Sequence, residues 1–403
     1  MRRLYLTRQH LAGPIATVGR PDDLMPTIRD VTCLQLDPIR VVERNHLLLL
    51  WSRVGAFDPA LLDTLLWGER SLFEYWAYAA SIVLTADYPI HSMLMRRYRT
   101  GDTARARRRH DWVRANERLR REITSRIRNE GALRGRDFEN RADRRWESTG
   151  WTGGRDVDQM LHYLWIQGRL MVTRRQGVEK WWDLSERVLP AWTPKERLTE
   201  RQVVRRAALR ALRSLGVARR KDIESSFTVG RYPGLRDVLA GSERSGAITR
   251  VRVRGPDSHL PGEWFVRSDE MDTLADLSGG GWTPRTTLLS PFDPVARERA
   301  ELLFGFGHKM EIYVPKQRRR YGYYVMPILH GDRFIGRLDP AMDRKSGRLT
   351  INAVHAEPDA PADTATGRAI RASVDDLARF LGAGEVTLAG ATGPPEWRRA
   401  LRS

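Results

Sequence analysis

Apolar residues recur at helical spacing in two stretches near the middle of the chain. In the first stretch, Leu119, Ile123 and Ile127 lie four residues apart, and Gly131 follows as a helix terminator. The second stretch opens with Thr199–Gln202, which has the pattern of a capping box, and it ends before Gly216. Its predicted buried stripe consists of Val204, Ala208, Ala211, Leu212 and Leu215. Each stretch therefore predicts one amphipathic helix with defined ends.

The residues that follow these two helices resemble each other. The eight-residue segments Gly131–Phe138 (GALRGRDF) and Gly216–Ile223 (GVARRKDI) lie 85 residues apart. Each segment precedes a further helical pattern, whose apolar positions are Val157, Met160, Leu161 and Leu164 in one copy and Leu235, Val238 and Leu239 in the other. An internal repeat of this length indicates that one supersecondary unit occurs twice.

Each copy ends in a predicted hairpin with basic residues. Residues 170–173 are expected to pair with residues 178–184, and the basic tip lies at 174–177. Residues 248–254 alternate apolar and basic side chains, which indicates a half-exposed strand, and residues 263–266 are its expected partner. Three helices and a two-stranded wing are typical of the winged-helix variant of the helix-turn-helix, which places a helix against DNA.

The first hundred residues are a more divergent candidate for the same unit. Tyr78 to Thr85 has strand character, and Asp58–Pro59 has the pattern of an N-cap followed by a first helical residue. Helices are predicted at 7–13, 22–32, 43–54 and 58–69.

A glycine-rich joint, Ser278–Gly281, precedes a part of the chain that is rich in strand patterns. Strands are predicted at 311–314, 321–326, 333–337 and 348–353, with Gly331–Asp332 as a two-residue hairpin turn, and one helix is predicted at 366–381. The fold class predicted for the whole chain is α+β. It consists of three tandem winged-helix units, at 1–100, 101–195 and 196–277, and a C-terminal β-rich domain at 282–403 with a DNA-facing hairpin.

The charge of the chain favours a nucleic-acid partner. Its 403 residues include 69 basic and 50 acidic ones, for a net charge of +19, and only six of the basic residues are lysine. Arginines cluster at 318–320 and also, within fourteen residues, at Arg96, Arg97, Arg99, Arg105, Arg107, Arg108 and Arg109. Such runs are commonly solvated faces, but beside a winged-helix repeat they predict salt-sensitive contacts to phosphates.

Several other classes of protein are disfavoured. A single cysteine, Cys33, excludes a disulfide framework and a cysteine-held metal cluster, and it fits a reducing cytoplasm. The nine histidines show no metal-binding spacing, and Ser278–Gly281 lacks the lysine of a phosphate-binding loop. The N-terminus has no signal-peptide pattern, and apolar runs such as Leu47–Trp51 are too short to span a bilayer. We expect a soluble cytoplasmic protein, located at the nucleoid, without a cofactor or a membrane partner.

One short segment carries candidate chemistry. If Gln35-Leu36-Asp37 is extended, Gln35 and Asp37 project to one face while Leu36 faces the other. A neighbouring amide and carboxylate can position a water molecule or stabilise a developing cation. The alternative is structural: Asp37–Pro38 could be the N-cap and first residue of a helix, as at Asp58–Pro59.

Two blocks of sequence carry a resemblance to a known family. The first comprises Leu34–Pro38 (LQLDP), Arg44–Arg53 (RNHLLLLWSR) and Leu72–Ala77 (LFEYWA). The second comprises Leu289–Pro294 (LSPFDP), Leu303–Phe306 (LFGF), Tyr313–Pro315 (YVP), Arg320–Val325 (RYGYYV), Pro327–Asp332 (PILHGD) and Gly336–Asp339 (GRLD). Together they resemble the bacterial winged-helix crosslink-repair DNA glycosylases of the YcaQ/AlkZ family, over almost the whole chain.

The resemblance implies a function and a site. In that family a Gln-apolar-Asp or Gln-apolar-Gln tripeptide carries catalysis, which implies catalytic roles for Gln35 and Asp37. The Asp form resembles the YcaQ-like branch, which is associated with alkyl lesions and nitrogen-mustard crosslinks. Many relatives carry His where this chain has Tyr78, so the role of that His has no counterpart here. The implied protein is a monomeric, monofunctional glycosylase acting on double-stranded DNA with alkylation damage or crosslinks.

Residues for DNA contact are predicted in three places: Arg97; Arg174 and Arg175 in the second wing; and Arg318, Arg319, Arg320 and Tyr324 in a predicted hairpin. In that hairpin an aromatic ring could act as a minor-groove wedge. Alternatively, Tyr321, Tyr323 and Val325 form an ordinary core face while Tyr324 points outward. For Trp181 and Trp182, packing competes with base stacking.

Two other functions fit part of the sequence. A non-catalytic DNA-binding regulator would share the repeat and the charge without needing Gln35 and Asp37. An RNA-binding module would share only the charge.

Overall fold

The apolar stripes predicted from helical spacing are buried. Leu119, Ile123 and Ile127 are at most 1% exposed in the computed structural model. The structure describes residues 1–100, 104–147, 154–255, 259–297, 299–390 and 392–402, which form an α+β fold. Within these residues, no helix is both long enough and apolar enough to cross a bilayer.

The N-terminal part contains four helices and a three-stranded sheet. Its elements are α1 (Arg2–Arg8), α2 (Met25–Val31), β1 (Cys33–Gln35), α3 (Asn45–Val54), α4 (Ala60–Asp63), β2 (Leu72–Trp76) and β3 (Ala80–Leu84). The sheet order is β1-β3-β2, and both pairings are antiparallel. The predicted helix at 7–13 is wrong: the helix is α1, and the left-handed backbone of His10 and Gly13 prevents its continuation.

The middle of the chain contains two further three-stranded sheets. The elements from residue 88 to 188 are α5 (Tyr88–Thr100), α6 (Ala104–Ala115), α7 (Glu117–Glu130), β4 (Leu133–Arg134), α8 (Asp156–Ile166), β5 (Leu170–Gln176), β6 (Glu179–Leu184) and α9 (Ser185–Val188). From residue 200 to 278 they are α10 (Glu200–Leu215), β7 (Val217–Arg219), α11 (Arg220–Glu224), α12 (Leu235–Arg244), β8 (Ile248–Val251), β9 (Trp264–Arg267) and α13 (Met271–Ser278). The sheet orders are β4-β6-β5 and β7-β9-β8, so all three small sheets place their last strand in the middle.

The repeated eight-residue segments share one local structure. Asp137 accepts hydrogen bonds from the backbone N–H and guanidinium of Arg134, and Asp222 does the same for Arg219. Each arginine also lies 4.7 Å above the ring of its cross-strand tryptophan, Trp181 for Arg134 and Trp264 for Arg219. A charge-assisted clamp therefore joins each segment to the strand behind it.

The C-terminal part is a five-stranded sheet with three helices. Its elements are β10 (Thr286–Leu288), α14 (Ala300–Phe304), β11 (Met326–His330), β12 (Arg333–Asp343), β13 (Arg348–Ala356), α15 (Thr364–Leu381), β14 (Glu385–Leu388) and α16 (Pro395–Arg402). The strands follow the order β10-β11-β12-β13-β14, and only β13 and β14 pair in parallel. The predicted turn at Gly331–Asp332 joins β11 to β12.

Two strand predictions in this region are wrong. Residues 311–314 form turns, and residues 321–325 are irregular, so the predicted hairpin at Arg318–Tyr324 does not form. The physical reason is that side-chain carboxylates, rather than a neighbouring strand, accept the hydrogen bonds of this backbone. Glu311 accepts hydrogen bonds from the backbone N–H groups of Arg320, Tyr321 and Gly322 at 2.9, 2.8 and 3.2 Å. Asp339 accepts another from the backbone N–H of Tyr324 at 3.1 Å.

The β1-β3-β2 sheet lies between two hydrophobic cores. One face carries Phe73, Tyr75 and Val83, which pack with the helices of the middle of the chain. The other face carries Leu34 and Ile82, which pack with the C-terminal sheet. Gln35 is the last residue of β1, so the candidate catalytic segment leaves the sheet where the two cores meet.

Candidate active site and DNA-facing residues

Gln35 is held at the end of β1 by contacts on both sides. It pairs with Ser81, which in turn pairs with Tyr75, so the three residues form one row across the sheet. The Asn45 side chain donates a hydrogen bond to the Gln35 carbonyl at 2.9 Å. Asn45 is the first residue of α3 and is fully buried, so its rigid position fixes where the strand ends.

Gln35 lines a small cavity of about 50 Å³. Tyr78, Phe227, Phe292 and Arg297 are among the other lining residues. Arg297 donates a hydrogen bond to the Tyr78 hydroxyl at 2.7 Å and lies 5.4 Å above its ring. A cavity of this volume holds a few water molecules but not a purine ring. Its lining is mainly apolar, and polar residues such as Gln35, Tyr78 and Arg297 can position water within it.

Asp37 lies outside the strand, in a tight turn. Its side chain is half-buried, and its Oδ1 accepts a hydrogen bond from the backbone N–H of Ile39 at 2.9 Å. No helix begins at Pro38, because the next helix starts at Asn45, so the helix-capping alternative is wrong. The turn is of the kind in which an Asp side chain mimics a backbone carbonyl.

Gln35 and Asp37 are expected to project to one face on the condition that residues 35–37 form an extended strand. The strand ends at Gln35, and among the described residues Gln35 lines the cavity whereas Asp37 does not. The segment thus places Gln35 at the cavity, whereas Asp37 is not among its lining residues.

Burial raises the pKa of the Asp37 carboxyl, and the hydrogen bond from Ile39 opposes that shift. Among the described residues, no arginine or lysine comes within ion-pair distance of this carboxylate. Arg40, the nearest basic residue in sequence, pairs instead with Glu43. In a chain with an excess of basic residues, a partly desolvated and unpaired carboxylate is a mark of a functional group.

Tyr324 lies on the inner side of this site. It is fully buried, whereas Tyr323 is 36% exposed, so the prediction that Tyr324 points outward to contact DNA is wrong. Burial raises the pKa of the Tyr324 phenol, and the nearby carboxylates of Asp37 and Glu43 add to the shift. Because the backbone at 321–325 is irregular, Tyr324 points inward and Tyr323 outward, which is the reverse of the alternation expected of a strand.

Two residues that sequence reasoning did not single out connect the site to the C-terminal part. The Ser290 hydroxyl donates to the Asn45 side-chain oxygen at 2.8 Å, and both residues are fully buried. Asn45 thereby links the backbone of Gln35 to the loop that contains Ser290. Both lie inside the segments that carry the family resemblance, which is the signal by which they could have been found.

The exposed basic surface closest to Tyr324 in sequence is the segment 313–323. Arg318 and Arg320 are exposed, and within the described chain no carboxylate forms an ion pair with Arg318, Arg319 or Arg320. Arg319 lies 4.6 Å above the ring of Tyr323, and Arg320 lies 4.9 Å above that of Tyr321. Guanidinium groups without a carboxylate partner, beside the exposed ring of Tyr323 and the half-buried ring of Tyr321, suit contacts to phosphates and bases.

In the β5–β6 hairpin, Arg174 is available for outside contacts whereas Arg175 is not. Arg174 is exposed and lies 3.7 Å above the ring of Trp181. Arg175 instead makes a bidentate ion pair with Glu74, whose side chain is 2% exposed, so its charge is largely neutralised within the protein. Trp182 is buried, and Trp181 is covered by Arg134 and Arg174, which favours packing over base stacking for both.

The arginines of the 96–109 cluster mainly make contacts within the protein. Arg99 donates to the Gln167 carbonyl at 2.6 and 3.1 Å, and Arg109 is buried and donates to the Tyr98 hydroxyl at 3.0 Å. Arg97 and Arg108 pair with Glu200 and Glu147, both at 3.1 Å. The side chain of Arg105 lies outside the described residues. Arg99 and Arg109 therefore hold helices together, whereas the ion pairs of Arg97 and Arg108 are exposed to solvent.

In the part of the chain that the structure describes, no group of three or more His, Cys, Asp or Glu side chains could hold a metal ion.

The chain matches a family model described as DNA glycosylase AlkZ-like over residues 28–380. It also resembles the solved structure of the Streptomyces sahachiroi DNA glycosylase AlkZ, with a TM-score of 0.61 and 14% sequence identity, covering 96% of this chain and 98% of that chain. At that identity the structural likeness shows a shared α+β fold.

Proposed function

The chain belongs to the AlkZ-like DNA glycosylase family, and from that premise we propose that it excises N7-alkylated purines and unhooks interstrand crosslinks, using Gln35 and Asp37. As a member of the family it is a DNA glycosylase of DNA repair, with DNA as its substrate. A non-catalytic regulator and an RNA-binding module are therefore disfavoured. In this proposal it acts as a monomer on damaged double-stranded DNA in the nucleoid.

The proposal also covers how the fold meets DNA. The three small sheets with their helices, at 1–100, 101–195 and 196–277, are winged-helix units, and the β-rich domain at 282–403 completes the binding surface. Support comes from the common strand order of the three sheets and from the matching clamps at Arg134 and Arg219. The irregular segment 313–323 takes the DNA-facing role expected of a hairpin.

The observation that carries the catalytic assignment is the unpaired, partly buried carboxylate of Asp37. Hydrolysis of an N-glycosidic bond passes through a sugar with oxocarbenium character, and a carboxylate near C1′ stabilises that cation. Because burial removes water from Asp37 and no cation of the described residues neutralises it, its interaction with a positive sugar is strong. The Gln35 amide, facing a cavity large enough for a few waters, orients the attacking water.

No protonation of the base is required. An N7-alkylated purine carries a positive charge already and leaves as a neutral base, so a general acid is unnecessary. The step breaks the C1′–N9 bond, the electron pair stays with the base, and water adds to C1′ with loss of its proton. The proposal includes no strand-cleaving lyase step, and Lys180 packs against the rings of Trp165 and Trp182 at 5.4 and 5.2 Å.

The test is direct excision. Purified protein is incubated with one duplex containing N7-methylguanine and another containing a nitrogen-mustard crosslink, and alkali then reveals abasic sites. We expect product from both substrates. Absence of product from both, with DNA binding retained, would falsify the proposed substrate class.

A further inference from the structure

A second, larger groove is lined by residues of β2, α5, α6 and α8 and by residues between 224 and 233. It has a volume of about 590 Å³, and its polar lining includes Arg97, Tyr98, Glu224, Arg231 and Tyr232. Tyr75 also lines it. The groove is therefore an aromatic cleft with two guanidinium groups, in a part of the protein that the proposed chemistry does not use.

Arg231 is the distinctive residue of this groove. Burial lowers the pKa of its half-buried guanidinium, and the neighbouring charge of Arg97 lowers it further. Within the described residues no carboxylate forms an ion pair with Arg231, although nearby arginines are paired, as Arg210 is with Asp87 at 2.7 Å. A partly desolvated cation without a protein partner favours an anionic ligand.

The acidic residues around the groove do not neutralise Arg231. Glu224, which lines it, lies 3.6 Å from Arg220, and Glu200 lies 3.1 Å from Arg97. Tyr98 accepts its hydrogen bond from Arg109, so the phenolic proton of Tyr98 remains available for an acceptor in the groove. A phosphate oxygen is such an acceptor.

The groove is adjacent to the candidate active site. Tyr75, which lines the groove, and Gln35, which lines the cavity, stand in one row two strand spacings apart, or about 10 Å. The segment 225–233 separates the two spaces: Phe227 faces the cavity, whereas Arg231 faces the groove. The Tyr232 hydroxyl donates to the Ser226 carbonyl at 3.0 Å and holds this partition together.

We propose that the Arg231 groove binds a backbone phosphate of the lesion-bearing DNA strand, close to the nucleotide that reaches Gln35. The segment 225–233 contributes lining residues to both the groove and the cavity, so a phosphate held at Arg231 lies near the nucleotide that reaches Gln35. The position relative to the lesion rests on the proposed function, whereas the phosphate site itself does not.

The first experiment measures salt dependence with the full chain. Affinity for undamaged duplex is measured against ionic strength for wild type, Arg231→Gln, Arg231→Lys and Arg368→Gln; Arg368 is an exposed arginine on α15 and serves as the control. Arg231→Gln is expected to reduce the slope of log affinity against log salt by about 0.9, and the other two variants to leave it unchanged. An unchanged slope for a folded Arg231→Gln protein would overturn the proposal.

A second measurement locates the phosphate by changing the DNA. Duplexes with one N7-methylguanine and a single neutral methylphosphonate, moved along the lesion-bearing strand, are tested for binding. We expect one position close to the lesion to weaken wild-type binding and to have no further effect on Arg231→Gln. Inorganic phosphate competes in a parallel arm: strong competition with no position-dependent loss indicates a free-anion site and contradicts a DNA site.

Failure of the proposed function gives a different result. If the wild-type protein binds DNA but excises nothing, the salt slope of Arg231→Gln still decides whether the groove holds a phosphate.

Discussion

Arg53 and Asp293 form an ion pair in which both side chains are wholly buried. The contact is bidentate, and Arg53 also donates to Gln9 at 3.1 Å and to Ser52 at 2.8 Å. Arg53 lies on the same helix as Asn45, and Asp293 lies in the same loop as Ser290. The pair therefore runs beside the Asn45–Ser290 hydrogen bond and fastens the Gln35–Asp37 segment to the C-terminal part.

Removing one member of this pair should destabilise the protein strongly. Asp293→Asn leaves the Arg53 guanidinium buried without a counter-charge, which costs about 3–5 kcal/mol. Urea unfolding followed by circular dichroism measures the loss. The control is Asp359→Asn, which breaks the exposed pair with Arg333 and should cost less than about 1 kcal/mol. Equal losses for the two variants would contradict the structural role given to Arg53.

The charge of Asp37 should be essential for excision but not for folding. Asp37→Asn keeps an oxygen that can accept the Ile39 hydrogen bond but removes the charge, so we expect at least a roughly 10²-fold loss of excision with normal DNA binding. Gln35→Ala should be impaired as well. The matched control is Asp58→Asn, because Asp58 also precedes a proline and accepts the N–H two residues on, that of Ala60, at 2.9 Å. Full excision by folded Asp37→Asn would return Asp37 to a structural role.

The raised pKa of Asp37 also predicts a pH dependence. Excision requires the ionised carboxylate, so activity should fall on acidification with a midpoint above the ordinary Asp value of 3.8. A profile governed by a midpoint at or below 3.8 would show that Asp37 is not the group that titrates.

The contribution of Asp37 to folding stability should depend on pH in the opposite sense to its contribution to excision. Because the pKa of Asp37 is higher in the folded than in the unfolded state, the folded protein binds more protons, and ionised Asp37 opposes folding. Asp37→Asn should therefore be at least as stable as wild type at pH 7, and its advantage should shrink as the pH falls through the raised pKa. Thermal unfolding at several pH values measures this difference.

The two arginine clusters should behave differently. Replacing Arg318, Arg319 and Arg320 by Ala should flatten the salt dependence of duplex binding by up to about three phosphate contacts, without loss of stability. Arg109→Ala, at a buried residue that donates to Tyr98, should lower the free energy of unfolding and leave the salt slope unchanged. If Arg109→Ala flattened the slope and the triple variant did not, the DNA contacts would lie at the 96–109 cluster and the prediction would be wrong.

The repeated segments offer an internal comparison. Asp137→Ala should cost about 1–2 kcal/mol, because it removes the acceptor for the backbone N–H of Arg134 and its guanidinium. Asp222→Ala should cost more, because the Asp222 side chain is 7% exposed and that of Asp137 is 21% exposed. Equal losses in urea unfolding would indicate that burial does not set the strength of the clamp.

The sequence alone determined the features that depend on local spacing. The stripe at Leu119, Ile123 and Ile127, the capping box at Thr199 and the repeated segments around Arg134 and Arg219 are set by residues within a few positions of each other. Helical periodicity and side-chain capping act over that range, so the pattern of residues was sufficient to predict them.

The tertiary structure decided what depends on residues far apart in the chain. Glu311 and Asp339 bind the backbone on either side of Gly322, which replaces the expected hairpin and buries Tyr324. Arg175 is neutralised by Glu74, about a hundred residues earlier, whereas Asp37 has no cation at ion-pair distance in the described chain. Whether a charge is paired, and whether a ring is buried, depends on which distant segments pack against it, and local spacing carries no information about that packing.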